Sequence, residues 1–142
     1  MSKKLRIGIV GCGGNANNKH FPALSHYQDR AELVAFCDII PERAEKAAKE
    51  FGIDDARVYT DYRELLKDDS IDIVNVLTPN VAHAPIAIAA FEAGKNVFCE
   101  KPMSDNAIDA KKMIDAWKKS GKQFTIGYQN RFRPEVQMLH QA

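Results

Sequence analysis

Short runs of apolar and β-branched residues alternate along the chain with longer segments in which apolar residues recur at helical spacing. The runs predict six strands, at residues 5–10, 32–37, 57–60, 71–77, 96–99 and 123–128. Because helical segments separate the strands, successive strands are expected to be parallel and joined by right-handed crossovers. The pattern therefore predicts an α/β fold with a doubly wound, mostly parallel sheet and helices on both faces.

Helix boundaries are marked by capping residues. Three predicted helices each end at a glycine: 41–51 before Gly52, 85–93 before Gly94, and 105–120 before Gly121. Pro41 suits the first position of the first of these helices. Asp61 and Glu64 resemble a capping box for a short helix after the third strand. The first helix, within residues 16–27, must hold Pro22 in its first turn or be broken by it.

Length and composition fit one compact domain over residues 1–142, with 45% hydrophobic and 27% charged residues. Twenty basic and nineteen acidic residues give a formal net charge of +1, too balanced for a general nucleic-acid-binding protein. No apolar run approaches the roughly 18 residues that span a bilayer, and the N-terminus lacks a signal-peptide pattern. We therefore expect a cytoplasmic protein with no nucleic-acid or membrane partner.

The three cysteines, Cys12, Cys37 and Cys99, contain no C-x-x-C pair, and their odd number disfavours a disulfide framework. No cluster of His, Cys, Asp and Glu has the spacing of metal ligands. We expect free thiols that pack in the core, and no metal site.

Glycine-rich and polar segments directly follow the predicted strands. They comprise residues 11–14, Asp38, 78–80, 100–102 and 129–131. Because the carboxyl ends of parallel strands share one edge of the sheet, and ligands of open α/β sheets bind at that edge, these segments are candidates for one site.

The segment after the first strand fits the dinucleotide-binding pattern G-x-G-x-x-G/A. It comprises Gly11, Cys12, Gly13, Gly14, Asn15 and Ala16. In this pattern Gly11 permits the tight turn, Gly13 lets the backbone approach a pyrophosphate, and Ala16 lets the helix pack closely on the sheet. The N-terminus of that helix offers unpaired N–H groups to the phosphates. The alternative is a glycine-rich turn that binds nothing.

Asp38 ends the second predicted strand about 25 residues after Gly13, near the spacing of about 20 expected for a carboxylate that binds the adenosine ribose. Helix capping does not explain it, because Pro41 places the cap at Ile40. A carboxylate repels a 2′-phosphate, and neither Ile39 nor Ile40 offers a cation. NAD is therefore expected rather than NADP, although Arg43 leaves NADP as the alternative.

Lys101 follows the fifth strand between Glu100 and Pro102. The proline restricts Lys101 to an extended conformation at the ligand-binding edge, where its ammonium group can polarise a hydroxyl or carbonyl and take part in proton transfer. The alternative is a Glu–Lys pair on the surface.

His83 could reach the same site or cover a helix end, and the simpler interpretation is a solvated histidine in a turn. His20 and His140 are expected to be structural or on the surface.

These motifs together resemble those of the Gfo/Idh/MocA oxidoreductases, the family of glucose-fructose oxidoreductase and inositol dehydrogenase. The resemblance rests on G-C-G-G at 11–14, H-F-P-A-L at 20–24, C-D at 37–38, P-E-R-A at 41–44, T-P-N with His83 at 78–83, A-G-K-N-V at 93–97 and C-E-K-P at 99–102. It covers residues 5 to about 134, nearly the whole chain.

The resemblance implies a Rossmann domain that binds NAD or NADP, and roles for several residues. Lys101 would lie beside the nicotinamide and assist proton transfer at the substrate hydroxyl, and its bond to Pro102 is often cis in the family. His83 is the second catalytic candidate and, with Asn80, would line the nicotinamide side. The remaining cofactor-binding candidates are residues 11–16, Asp38, Ile39, Arg43, Thr78, Pro79, Glu100, Lys101 and Gln129.

The chain departs from the family pattern in two ways. Asn15, Asn17 and Asn18 make the segment after the glycines unusually polar, and the chain ends in the first turns of a helix opened by Pro134. Family members continue into a second domain that binds substrate, supplies a catalytic histidine and forms the oligomer interface. We therefore expect this chain to be one cofactor-binding domain whose substrate domain is absent.

The sequence thus supports two functions. The intact enzyme would transfer hydride between NAD and a hydroxyl-bearing carbon of a sugar, inositol or related polyol, and a homo-oligomer is left open. The chain alone would bind NAD without turnover, because general acid–base catalysis needs a base that the second domain supplies. A scaffold that only mediates assembly is the remaining alternative.

Overall fold

The computed structural model describes residues 3–141, in which six strands form one all-parallel sheet. The strands are β1 Leu5–Val10, β2 Ala31–Cys37, β3 Arg57–Tyr59, β4 Ile73–Val76, β5 Asn96–Cys99 and β6 Phe124–Ile126. The helices are α1 Phe21–Ser25, α2 Pro41–Phe51, α3 Tyr62–Leu66, α4 His83–Glu92, α5 Ala107–Ser120 and α6 Pro134–Gln141. The predicted α/β class is confirmed, and β4 and β6 are shorter than predicted.

The strand order is β3-β2-β1-β4-β5-β6. From β1 the chain winds outward through β2 to β3, crosses back through α3, and winds the other way from β4 to β6. Val10 of β1 is therefore in register with Cys37 of β2 on one side and with Val76 of β4 on the other. The direction of winding reverses between β1 and β4, which is where a doubly wound sheet opens a ligand-binding crevice.

The core consists of one apolar cluster on each face of the sheet. On the first face, Phe21 of α1 stacks on Phe51 of α2 with ring centroids 4.8 Å apart, and its edge meets Phe36 of β2. On the second face, α4 packs on β4 and β5, α3 on β2 and β3, and α5 on α4, and Met113 of α5 is fully buried. Burying a side chain the size of Phe or Met contributes about 1.5–3 kcal/mol each. Within residues 3–141, no helix is both long and apolar enough to cross a membrane.

The helix ends differ in part from the prediction. Gly94 and Gly121 follow α4 and α5 with φ of 72° and 66°, the expected left-handed helix ends. Gly52 has φ of −78°, so space rather than handedness requires glycine there. A Cβ on Gly52 would lie 2.6 Å from the Ala48 carbonyl oxygen.

The predicted capping box before α3 is wrong. Asp61 caps α3 by accepting from the Arg63 N–H at 2.9 Å, one residue earlier than a capping box requires. Glu64 does not reach back to the cap. Its carboxylate accepts instead from Lys67 at 2.7 Å, because a cation one turn ahead on the same exposed face is the nearer partner.

Pro22 lies in the first turn of α1, as the sequence requires, but helical structure begins before it. A π-helical turn over Ala16–His20 precedes α1, and in it the Phe21 N–H donates to the Ala16 carbonyl five residues back. The wider turn shifts the backbone partners by one residue, so the helix passes into Pro22 without a break. This turn also determines where the His20 side chain lies.

Candidate cofactor and active site

A cleft of about 500 Å³ opens at the crevice between the carboxyl ends of β1 and β4. Its size is in the range of small-molecule and cofactor sites. It brings together nine of the predicted residues: Gly11, Gly13, Gly14, Asn15, Asp38, Ile39, Arg43, Thr78 and Pro79. It is also lined by residues that the sequence pattern did not indicate, among them Thr60, Tyr62, Val81 and Ala82. Thr60 and Tyr62 follow β3 at the same edge of the sheet, and this position after a strand could have indicated them as site residues.

The glycine turn is shaped by two different needs. Gly11 has φ of 98°, and a Cβ there would lie 2.8 Å from the Leu77 carbonyl carbon, so only glycine fits this close approach of two backbones. Gly13 faces open space, since a Cβ would meet nothing within 4 Å. That space, beside the start of a helical segment, is room for a phosphate group against the backbone. Ala16 is fully buried beneath the turn.

The polar residues after the glycines brace the turn. Asn17 donates from Nδ2 to the carbonyl oxygens of Cys12 and Gly13, both at 2.8 Å. These bonds occupy carbonyl oxygens only, so Asn17 takes up none of the N–H donors that an anion requires. The departure at Asn17 is therefore compatible with a phosphate-binding turn.

Asp38 is 8% exposed and holds the turn from the other side. Its Oδ2 accepts from the Cys12 N–H and its Oδ1 from the Ile40 N–H, each at 2.9 Å. A carboxylate has about four lone-pair sites, so both oxygens retain capacity to accept from ribose hydroxyls. The carboxylate lines the cleft while it fixes the turn.

Thr78 lines the cleft and carries an unsatisfied polar atom. Its Oγ1 is buried and finds no hydrogen-bond partner within residues 3–141. Buried hydroxyls are nearly always hydrogen-bonded, so this group calls for a polar ligand atom or an ordered water. Together with the open space at Gly13 and the free lone pairs of Asp38, it fits a dinucleotide such as NAD.

His83 is buried, so the interpretation as a solvated turn histidine is wrong. The residue is 1% exposed, and its ring nitrogens lie 2.7 Å from the Pro102 carbonyl oxygen and 2.9 Å from that of Thr78. The reason is that the first turn of α4 packs beneath both segments. The ring does not line the cleft. It lies between the backbone at Thr78, after β4, and the backbone at Pro102, after β5.

Lys101 is exposed and does not line the cleft, and its peptide bond to Pro102 is cis. Among the described residues its side chain forms no ion pair. The alternative of a surface pair with Glu100 is therefore wrong. Glu100 is 7% exposed and points the other way, where His20 Nε2 lies 2.7 Å from its Oε1. Its Oε2 accepts from the Lys101 backbone N–H at 3.1 Å.

The burial and hydrogen bonds of Glu100 act in opposite directions on the pKa of its carboxyl group. Burial opposes ionisation of the carboxyl group, but hydrogen bonds from His20 and the Lys101 amide outweigh it and hold the pKa of Glu100 below its usual range. The sequence alone does not indicate this role of His20, because only the fold brings residues 80 positions apart together.

The three cysteines are free and buried, as predicted. Burial is the main cause that raises the pKa of Cys12, Cys37 and Cys99 to about 12 each, so the thiolate that a nucleophile requires does not form.

Asn80 and Gln129 are exposed at the same edge of the sheet but do not line the cleft. Residues 3–141 contain no group of three or more His, Cys, Asp or Glu that could hold a metal ion.

Residues 5–128 match the Gfo/Idh/MocA family, described as an oxidoreductase family with an NAD-binding Rossmann fold. The chain belongs to this family. Inositol 2-dehydrogenase of Salmonella typhimurium is 39% identical over 129 residues, which cover 90% of this chain and 38% of that enzyme.

Solved structures agree with the Gfo/Idh/MocA assignment. The WlbA dehydrogenase of Chromobacterium violaceum, crystallised with NADH and UDP-GlcNAcA, is 38% identical with a TM-score of 0.93 over 99% of this chain and 40% of that one. The scyllo-inositol dehydrogenase of Lactobacillus casei, crystallised with NAD(H) and scyllo-inositol, is 26% identical with a TM-score of 0.87, over 98% of this chain and 40% of that one. The chain thus spans about two fifths of the relatives that it matches, and it is their NAD-binding Rossmann domain to which it corresponds.

Proposed function

We propose that this chain is the cofactor-binding part of an enzyme that transfers hydride between NAD and a hydroxyl-bearing carbon of inositol, a sugar or a related polyol. The observation that carries the proposal is the cleft itself: Asp38 and Thr78 line it together with the glycine turn, and Lys101 is exposed after the neighbouring strand β5. The relatives named as inositol dehydrogenases, and the WlbA dehydrogenase crystallised with UDP-GlcNAcA, support the substrate class.

Different residues of the cleft bind different parts of the cofactor. Asp38 accepts from the adenosine ribose hydroxyls, the turn at Gly13 and Gly14 receives the pyrophosphate on its N–H groups, and Thr78 bonds a polar group nearer the nicotinamide. Bound in this way, NAD supplies or accepts the hydride. The protein contributes mainly position, because hydride transfer needs the two carbons held in contact at the correct angle.

Lys101 acts on the substrate proton. Its ammonium group is exposed and is not occupied by an ion pair among the described residues, so it is available to hydrogen-bond the substrate oxygen. In the oxidation direction it stabilises the negative charge on that oxygen while the hydroxyl proton leaves to the base expected from the second domain. In the reduction direction it donates a proton to the carbonyl oxygen and regains one from that base. The Glu100 carboxylate accepts from the Lys101 N–H and so fixes the backbone there. The Lys101 side chain can therefore move while its attachment point stays in place.

Asp38 also underlies the choice of NAD over NADP. The buried carboxylate would face a 2′-phosphate directly, and like charges in a partly buried site repel strongly. Arg43 lines the same cleft but is exposed, so water screens the attraction that it offers.

With three free thiols the chain also suits a reducing compartment, and we place it in the cytoplasm.

The test of this function uses the longer protein that contains this chain. A panel of inositols, sugars and sugar nucleotides is offered with NAD, and NADH formation is followed by absorbance. We expect turnover with a polyol or sugar, which Lys101→Ala abolishes. No NADH formation with any member of the panel, or turnover that persists in Lys101→Ala, would refute the proposal.

A further inference from the structure

Glu100 is a buried carboxylate, and the mechanism above uses only its contact with Lys101 and not its contact with His20. It is 7% exposed, one oxygen lies 2.7 Å from His20 Nε2, and the other accepts from the Lys101 N–H at 3.1 Å. A buried carboxylate is costly unless its oxygens are paired. Glu100 therefore depends on both contacts, one to the helical segment after the glycine turn and one to the backbone of Lys101.

The first contact reaches back to the phosphate-binding turn. His20 ends the π-helical turn that begins directly after Gly14 and Asn15, and its ring meets Phe98 of β5 edge-on at 5.5 Å. Asn15, which lines the cleft, directly precedes the same segment. One short helical segment thus links the expected pyrophosphate site to His20, the side-chain partner of Glu100.

The second contact reaches the lysine. Lys101 is held through its N–H by Glu100, and the next residue, Pro102, is held through its carbonyl oxygen by His83 at 2.7 Å. The peptide that carries the Lys101 side chain is fixed at both ends while the side chain itself is exposed. Displacing Glu100 would release one of these two anchors.

We propose that Glu100 is a positioning residue that couples the phosphate-binding turn to Lys101, with His20 as the link between them. A ligand that orders the turn then orders the Lys101 peptide as well. The inference rests on the proposed roles of the turn and of Lys101, but it concerns the coupling between them and makes no assumption about the substrate.

Amide hydrogen exchange in the isotope-labelled chain, with and without saturating NADH, tests the coupling. In the wild type we expect NADH to slow exchange at the Lys101 amide about fivefold or more, the lower end of typical coupling between sites. In His20→Ala we expect faster exchange at Lys101 in the free chain and a slowing by NADH of less than about twofold. His20→Gln should restore the wild-type response, because its amide can donate to Glu100.

Two amides away from the cleft serve as internal controls. The Asp72 N–H donates to the Arg6 carbonyl oxygen at 2.8 Å and the Ile53 N–H to that of Leu33 at 3.1 Å, and neither amide lines the cleft or contacts Glu100. Both should exchange at the same rate in all variants. If His20→Ala exposes them, Glu100→Ala replaces it as the test variant, because it removes both contacts without altering a residue that lines the cleft, and the same reduced response is expected at Lys101.

The proposal is overturned if Lys101 exchanges equally in the wild type and His20→Ala, or if NADH slows it equally in both. The second result would mean that the cofactor covers Lys101 directly. Either failure leaves the proposed function intact, since that function fails only if the longer protein lacks polyol turnover or retains it in Lys101→Ala.

Discussion

Replacing Asp38 with asparagine separates its two roles, because the shape is kept and the charge is removed. In the native structure its two oxygens accept from Cys12 and Ile40, each at 2.9 Å. An asparagine offers one acceptor oxygen and turns an NH₂ group toward the other N–H. One buried N–H then loses its partner, which costs about 1–3 kcal/mol. For a domain of this size we expect the Tm to fall by about 4 °C per kcal/mol, or about 4–12 °C.

Cofactor binding should change more selectively than stability. Hydrogen bonds to a charged group contribute about 1.5–3 kcal/mol, so the loss of the carboxylate should weaken NADH at least about tenfold. NADPH should lose less or gain, because the repulsion of its 2′-phosphate is removed. The ratio of the two dissociation constants should therefore move toward NADPH by about tenfold or more. Fluorescence titrations with both cofactors measure this ratio, and thermal unfolding measures the Tm.

A matched control removes one negative charge from the exposed face of α2. Glu45→Gln lies outside the cleft and should change neither the ratio nor the Tm appreciably. If Asp38→Asn lowers the Tm but weakens both cofactors equally, Asp38 only braces the glycine turn. If NADH affinity does not change, the ribose role is refuted.

Four further outcomes are expected. Lys101→Ala should lower turnover of the longer protein at least about 100-fold, while the NADH dissociation constant of the chain stays within about twofold. Gly11→Ala should destabilise the chain by about 2 kcal/mol or more, measured by denaturant unfolding, because its Cβ would lie 2.8 Å from the Leu77 carbonyl carbon at a φ of 98°. Because the pKa of Glu100 is lowered in the folded state, its contribution to stability is present above the unfolded-state pKa and is lost as the pH falls through the folded-state value. The Tm of Glu100→Gln should therefore fall less steeply on acidification than that of the wild type, and an equal slope would contradict the stated cause. The three cysteines should react with a thiol reagent only as the chain unfolds, since burial raises their pKa to about 12, and rapid reaction of the native chain would argue against this burial.

Much of the fold follows from local sequence patterns. Strand runs, glycine helix ends and Pro41 act over a few residues, so they predicted six parallel strands and the edge where the site lies. The glycine turn and Asp38 were predictable for the same reason, since their chemistry depends on spacing after a strand. The capping box at Asp61 failed because two partners competed for Glu64, and local pattern does not decide between them.

Other parts of the site depend on tertiary contacts that no local pattern encodes. His20 meets Glu100 only because β1 and β5 end at the same edge and a π-helical turn directs the ring toward Phe98. His83 is buried because two separate segments close over it. The adjacent residues Glu100 and Lys101 suggest a surface ion pair in sequence, although the two side chains point to opposite sides in the fold.

The central claim is that this chain forms a competent NAD site with Asp38 at the ribose. Titration of the purified chain with NADH, followed by cofactor fluorescence with NADPH as the matched control, tests it most directly. We expect saturable binding of one NADH per chain and at least about tenfold weaker binding of NADPH. Equal affinity for both cofactors, or no saturable binding of NADH, would contradict this claim.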